Sequence, residues 1–150
     1  MNYIYGTWSV LCALNAVGLD SKSDVISNAA DWLVMIQNSD GGWGEDGTSY
    51  ELGYRGYERA PSTASQTAWA LLGLMAAART DHQAVARGIA YLGKTQNDDG
   101  FWTEPRFTAT GFPRVFYLRY HGYRKYFPLW ALARYRSLKS GNSRAVAFGV

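Results

Sequence analysis

A single cysteine, Cys12, stands in 150 residues, so no internal disulfide can form and a small secreted scaffold held by cystines is excluded. Set in an apolar helical pattern, it reads as a small buried residue. Histidine is nearly as scarce. His82 and His121 are isolated, and neither has metal-ligand spacing with Cys12, so the sequence offers no metal site. No apolar run approaches the roughly 20 residues of a membrane span. Asn2 to Trp8 lacks the basic start and cleavage site of a signal peptide. Nothing reads as a strand of any length.

Acid is missing from the C-terminal stretch. Every Asp and Glu lies at or before Glu104, and nine basic residues follow, from Arg106 to Arg144. A basic end can face nucleic acid or an anionic membrane. The plainer reading, adopted here, is a solvated face whose acidic partners lie elsewhere, with no nucleic-acid partner.

Aromatic residues are what the chain has in excess. They make up 15% of it, with 6 Trp, 11 Tyr and 6 Phe, more than a small core needs, so part of them is expected to line a pocket. The hydrophobic share of 47% supports one compact domain with a real core.

A repeat organises these residues. At a fixed offset of 59, Trp32-Leu33 aligns with Tyr91-Leu92, Gln37-Asn38 with Gln96-Asn97, Asp40-Gly41 with Asp99-Gly100, Trp43 with Trp102 and Glu45 with Glu104. Trp8, Trp69 and Trp130 are spaced 61 and 61. Repeats of this length mean stacked supersecondary units that bury their faces against neighbours. Each unit reads as two helices. The first, about 5–17 and again about 64–78, is apolar nearly all round and should be buried on most faces. Thr63 with Gln66 fits a capping box before its second copy. The other helix, about 24–37, has an apolar stripe of Val25, Ala29, Trp32, Leu33 and Ile36 and one wet face. Its copy, about 82–96, is opened by Thr80 with Gln83 three residues on. Alternating buried and half-wet helices fit an all-α toroid of inner and outer helices; a stack or superhelix fits the pattern equally well. Residues 1–138 form the domain, and 139–150 read as a weakly ordered tail.

Each unit ends in one design. Gln37 and Gln96 close a helix, Asn-x-Asp-Gly turns the chain with positive φ at Gly41 and Gly100, and Trp43 and Trp102 return over the helix end. The Gln amide can satisfy free carbonyls at one helix end and free N–H groups at the next, and the indole can exclude water from it. This is a structural clasp without a catalytic part.

The pattern resembles the repeated Gln–Trp motif of triterpene cyclases. The resemblance continues through Asn2-Tyr3-Ile4-Tyr5-Gly6-Thr7-Trp8, through Pro61-Ser62-Thr63-Ala64-Ser65-Gln66-Thr67-Ala68-Trp69, and from Gly111-Phe112-Pro113 to Phe127-Pro128-Leu129. It covers about residues 2 to 138 and is nearest to the bacterial squalene–hopene cyclases. It implies α/α barrels, here an incomplete one, a large apolar cavity, and peripheral or monotopic attachment to the cytoplasmic side of a bacterial membrane. It also implies a cationic cyclisation of squalene or a related polyene to pentacyclic hopanoids, without metal or organic cofactor.

A carbocation needs negative potential without a trapping nucleophile, and aromatic faces supply it. Phe112, Phe116, Tyr120 and Tyr123 fall at i, i+4, i+8 and i+11, one helical face, with Pro113 suited to its first turn and Pro128 starting a further helix. Spacing alone makes such a stripe core more often than pocket. The resemblance implies that these residues line the end of the cavity where late ring cations form, with Gly111 and Leu118 as shape-setting neighbours. It also implies that Tyr5 sits near the catalytic acid and keeps it protonated through a water. The family's Asp-x-Asp-Asp proton donor does not occur in this sequence, and Asp98-Asp99 lies in a turn and is no substitute. The chain is therefore expected to be about the last quarter of an enzyme, from a truncated gene, a split gene or a misplaced start. It would be inactive alone, completed by the N-terminal part or by a partner chain, with a homodimer as a further option.

Two other classes compete. A non-catalytic α/α toroid module would bind protein or lipid, although the thioester signature of such domains is absent. A carbohydrate-active toroid would use Glu45, Asp46, Glu51 and Glu58, carboxylates in a loop beside aromatics.

Overall fold

The computed structural model describes residues 2–47, 56–108, 115–116 and 118–141. Gly111, Phe112 and Pro113 of the expected pocket, and most of the expected tail, lie outside the described residues. In chain order the elements are α1 (Tyr3–Ala16), α2 (Asp24–Met35), β1 (Trp43–Glu45), β2 (Arg59–Thr63), α3 (Ala64–Ala76), α4 (Gln83–Thr95) and α5 (Tyr123–Ser140).

α3 is the centre. All thirteen of its residues are buried. Each large apolar side chain removed from water contributes about 1.5–3 kcal/mol, so this helix draws neighbours to every side. α1 and α5 pack on it as inner helices, and α2 and α4 touch it from the outer layer. Gly73 permits close approach, since a Cβ there would lie 3.2 Å from Leu33 and 3.3 Å from the Trp8 backbone. This is the α/α toroid arrangement expected from alternating helices. α1 is only partly enclosed: Ile4, Trp8 and Leu11 are buried, while Val10 is 51% exposed. On α2, Val25 of the expected stripe is 61% exposed, and Ile26 is buried instead. No helix among the described residues is long and apolar enough to cross a membrane.

Helix starts follow the local chemistry. Thr63 Oγ1 accepts from Gln66 N at 3.3 Å, half of the expected capping box. The Gln66 side chain reaches back to the Thr63 hydroxyl, which donates to Gln66 Oε1 at 3.0 Å, rather than to the Thr63 N–H. It also accepts from the Glu45 N–H and bridges to β1. Thr80 does not cap α4. His82 does, through Nδ1 accepting from Ala84 N at 3.1 Å, because α4 begins three residues later than Thr80.

Two expectations fail at long range. A two-stranded antiparallel sheet is present, pairing Trp43 with Thr63 and Glu45 with Arg59 across an irregular register. Three residues are too few to show alternation, and Pro61 argues against a strand. Gly44 makes the approach possible, because a Cβ there would stand 2.2 Å from the Pro61 carbonyl oxygen. The aromatic stripe is also not one helix. Residues 115–116 and 118–122 are non-helical, α5 starts at Tyr123, and Pro128 lies inside α5 rather than opening a new helix. Side-chain bonds to distant backbone override the periodic pattern here. Arg119 donates to the Glu104 carbonyl at 2.6 Å, and Arg124 to the Trp102 carbonyl. Lys139 and Ser140, expected in the tail, form the last turn of α5, which stops at Gly141 with φ 78°.

These bonds also answer for the basic stretch. Arg106 pairs with Asp46 and Lys139 with Asp81, both at 2.7 Å, so the acidic partners of these two cations lie in the same chain. Exposed pairs of this kind are screened by water and add little to stability.

The two Gln–Trp turns have the expected hairpin, with Gly41 at φ 89° and Gly100 at φ 80°. Trp43 Nε1 donates to Leu33 O at 2.7 Å and Trp102 Nε1 to Leu92 O at 2.9 Å, each closing its own helix end. Gln37 Nε2 donates to Gly41 O and Ala84 O, both at 2.8 Å, and Gln37 Oε1 accepts from Arg87. The amide thus meets a carbonyl of α4 rather than a free N–H, because His82 already caps Ala84 N. Gln96 donates to Gly100 O alone among the described residues and is exposed.

The clasps therefore differ in what their glycines tolerate. A Cβ on Gly41 would lie 2.8 Å from the Arg87 carbonyl oxygen, whereas one on Gly100 meets nothing within 4 Å. Gly100→Ala is expected to cost about 1–2 kcal/mol from the left-handed backbone alone. Gly41→Ala adds a clash of about 1–3 kcal/mol. Urea unfolding of the two variants measures the difference, and equal losses would contradict the close packing of α4 on the first turn.

Candidate functional site

An aromatic cluster joins the three inner helices. Its hub is Trp69 on α3, 0% exposed. Tyr5, in the first turns of α1, stands edge-on to Trp69 at 5.0 Å and to Trp8 at 5.2 Å. Tyr123, first residue of α5, stands edge-on to Trp69 at 5.5 Å. Tyr120 stacks on Tyr123 at 5.0 Å with planes 14° apart. Phe127 fills the space between, with its centroid 5.3 Å from both Trp8 and Trp69. Edge-to-face and offset stacked pairs each add about 0.5–1.5 kcal/mol beyond burial. Trp69 Nε1 is buried without a hydrogen-bond partner among the described residues, a cost of about 1–3 kcal/mol that the cluster must offset.

The cluster runs from a dry centre to an open edge. Tyr120 is 48% exposed, Leu118 44% and Phe116 42%. The structure brings Tyr5, expected near the acid, and Tyr123 and Tyr120, expected in the pocket, onto one connected set of rings through Trp69. Phe116 and Leu118 lie on the exposed segment leading to it. Sequence reasoning saw Trp8, Trp69 and Trp130 only as a spacing, although three tryptophans on one face of successive inner helices were the available signal for a shared cluster.

The N-termini of two inner helices are closed by buried carboxylates. Glu45 accepts from Tyr3 N at 2.9 Å and Ile4 N at 3.3 Å; Glu104 accepts from Ser65 N and from Ser65 Oγ at 3.2 Å. Their alignment in the repeat was visible, but the capping role was not, because each reaches about 40 residues back along the chain. Glu45 thus holds the start of α1, and Asp46 pairs with Arg106. Glu51 lies outside the described residues.

Burial sets the titration of these groups. Desolvation raises Glu45 from 4.5 to about 7, against the backbone N–H groups of Tyr3 and Ile4, which pull it down. Glu104 is raised for the same reason, opposed by Ser65 and then by Arg124 and Arg119. Burial pushes the Cys12 thiol up to about 11, so it stays protonated and poorly nucleophilic beside the cluster.

Inner helices around α3, outer helices clasped by Gln–Trp turns and an aromatic cluster open at one edge define a segment of an α/α toroid. A family profile described as "Squalene-hopene cyclase C-terminal domain" matches residues 1–137. The chain is 69% identical over 150 residues to squalene–hopene cyclase of Bradyrhizobium diazoefficiens, covering 100% of this chain and 23% of that protein. It is 59% identical over 150 residues to the squalene–hopene cyclase of Zymomonas mobilis, with the same coverage of 100% and 23%. It is also 36% identical over 140 residues to human lanosterol synthase, covering 91% of this chain and 19% of that enzyme. The chain belongs to the squalene–hopene cyclase family, through its C-terminal domain, and spans about a quarter of the length of these bacterial relatives.

A raised carboxyl weakens the fold as it ionises. Glu45 holds its proton to higher pH in the folded chain than in the unfolded one. Its contribution is complete below about 4.5 and is lost as pH climbs to about 7. Glu104 acts in the same direction. Urea midpoints are expected to fall across that window, and Glu45→Gln should flatten the fall. An identical pH profile in the variant would refute the assignment.

Proposed function

We propose that this chain supplies the aromatic end of a cavity in which squalene or a related polyene is cyclised through a cationic cascade to hopanoids. The observation that carries the reading is the unbroken set of rings from Tyr5 through Trp69 to Tyr123 and Tyr120, dry at Trp69 and open at Tyr120. Faces of this kind attract a cation by about 0.5–2 kcal/mol each, most when desolvated, and none of these side chains traps it irreversibly. The proton that starts the cascade comes from an acid outside these residues, which Tyr5 helps to keep protonated. By itself the chain does not turn over.

The same reading assigns the bare sides of the inner helices. Val10 on α1 and Tyr126, Leu129 and Trp130 on α5 are exposed apolar residues that the rest of the cyclase covers. The complete enzyme sits on the cytoplasmic side of a bacterial membrane, held peripherally.

The test uses the complete cyclase carrying this segment. Phe116→Ala is expected to shift the product mixture towards partly cyclised polyenes, by removing a face that steadies a late cation. Complete loss of turnover with no such intermediates, in a folded variant, would count against the assignment.

A further inference from the structure

α1 has no side-chain cap of its own, since Asn2 makes no capping bond. The chain instead brings Glu45 back across 42 residues to the N–H groups of Tyr3 and Ile4. A local Ser or Asp would have closed the same helix end. What a local cap cannot do is tie that end to a second helix. Glu45 does so through its own backbone: its N–H donates to Gln66 Oε1 at 3.2 Å, and its carbonyl accepts from Gln66 Nε2 at 3.4 Å. Gln66 lies on α3 one turn before Trp69. Tyr5 follows Ile4 directly, and its ring rests edge-on against Trp69.

One residue therefore sets both sides of the Tyr5–Trp69 contact. We infer that Glu45 is a positioning residue for Tyr5: its carboxylate sets the height and rotation of the first turn of α1, and its backbone references that turn to α3. The inference rests on the proposed reading that Tyr5 faces the reacting end of the cavity. Glu104 does the equivalent for the other partner, capping α3 at Ser65. Glu45 is 7% exposed, and no lysine or arginine bonds to its carboxylate among the described residues. Around it stand Gln66 from α3 and the backbone of α1, with Tyr57 on the segment before β2 donating to the Gly44 carbonyl. Arg59 is the cross-strand neighbour of Glu45, but its guanidinium donates to the Gln37 carbonyl, and Asp46 is paired with Arg106. With no lysine or arginine bonded to it among the described residues, gain or loss of one proton changes the strength of the two N–H bonds and thus the seating of Tyr5.

Tyrosine-labelled NMR of the chain reads this seating directly, because the rings of Trp8 and Trp69 displace the Tyr5 signals. Tyr5→Phe assigns them. In the unsubstituted chain the Tyr5 signals are expected to move with pH, with a midpoint near 7, while those of Tyr120 stay still. Glu45→Gln keeps an acceptor, so the displaced position is retained and the pH dependence disappears. Glu45→Ala loses the displacement. Tyr5 signals that are the same in the unsubstituted chain and in Glu45→Gln at every pH would overturn the inference, and this comparison decides even if Glu45→Ala does not fold. Failure of the underlying reading looks different. Full squalene turnover by a complete cyclase carrying Tyr5→Phe would overturn the role of Tyr5 and leave its coupling to Glu45 standing.

Discussion

A helix with no polar face must be enclosed, and α3 is such a helix. Its side chains place α1 and α5 against it and draw α2 and α4 over the gaps. The enclosure creates its own difficulty, because helix ends and indole N–H groups are taken out of water along with the apolar surface. The chain answers with groups delivered from a distance. Glu45 and Glu104 reach the starts of α1 and α3, and Trp43 and Trp102 reach the last turns of α2 and α4. The Gln–Trp turn is thus a polar repair kit for a dry core, with the glutamate as its third part.

What was legible in the residues follows the range of the forces involved. Helix periods, the Thr63 cap, the positive φ at Gly41 and Gly100 and the 59-residue repeat are local or nearly so, and each appears in the structure. Val25 and Ile26 exchanged places because neighbouring residues differ by only 100° on a helix, and packing against α3 decides between them. The aromatic stripe failed for a different reason. Its spacing fits a helix, yet Arg119 and Arg124 anchor the chain to carbonyls of the second turn, and no local pattern announces such bonds. Tyr5, Tyr120 and Tyr123 still meet, but through Trp69 rather than along one helical face. Tyr5, Tyr120 and Tyr123 were named from resemblance, and the hub that connects their rings was not.

The electrostatic character of the cluster comes from what surrounds it as much as from the rings. A thiol held protonated, carboxylates occupied with backbone N–H groups and cations tied to main-chain carbonyls leave few mobile charges near Trp69. Under the proposed function this is the environment a transient cation requires. Attraction comes from quadrupoles that do not reorganise, and a low dielectric lets them act at short range.

The unequal clasps have a consequence for how the molecule breathes. The first turn is pinned by α4, with Gln37 bonded to Ala84 and Arg87 and with Gly41 closed in, so its amides can reach solvent only when two units part together. The second turn is held by its own hairpin, an exposed amide and an uncovered glycine. Two stretches of nearly the same sequence therefore belong to different cooperative units. In deuterated water the segment around Asn97 to Gly100 exchanges by local fraying, while that around Asn38 to Gly41 waits for a larger opening. Protection here is a property of the neighbour rather than of the motif.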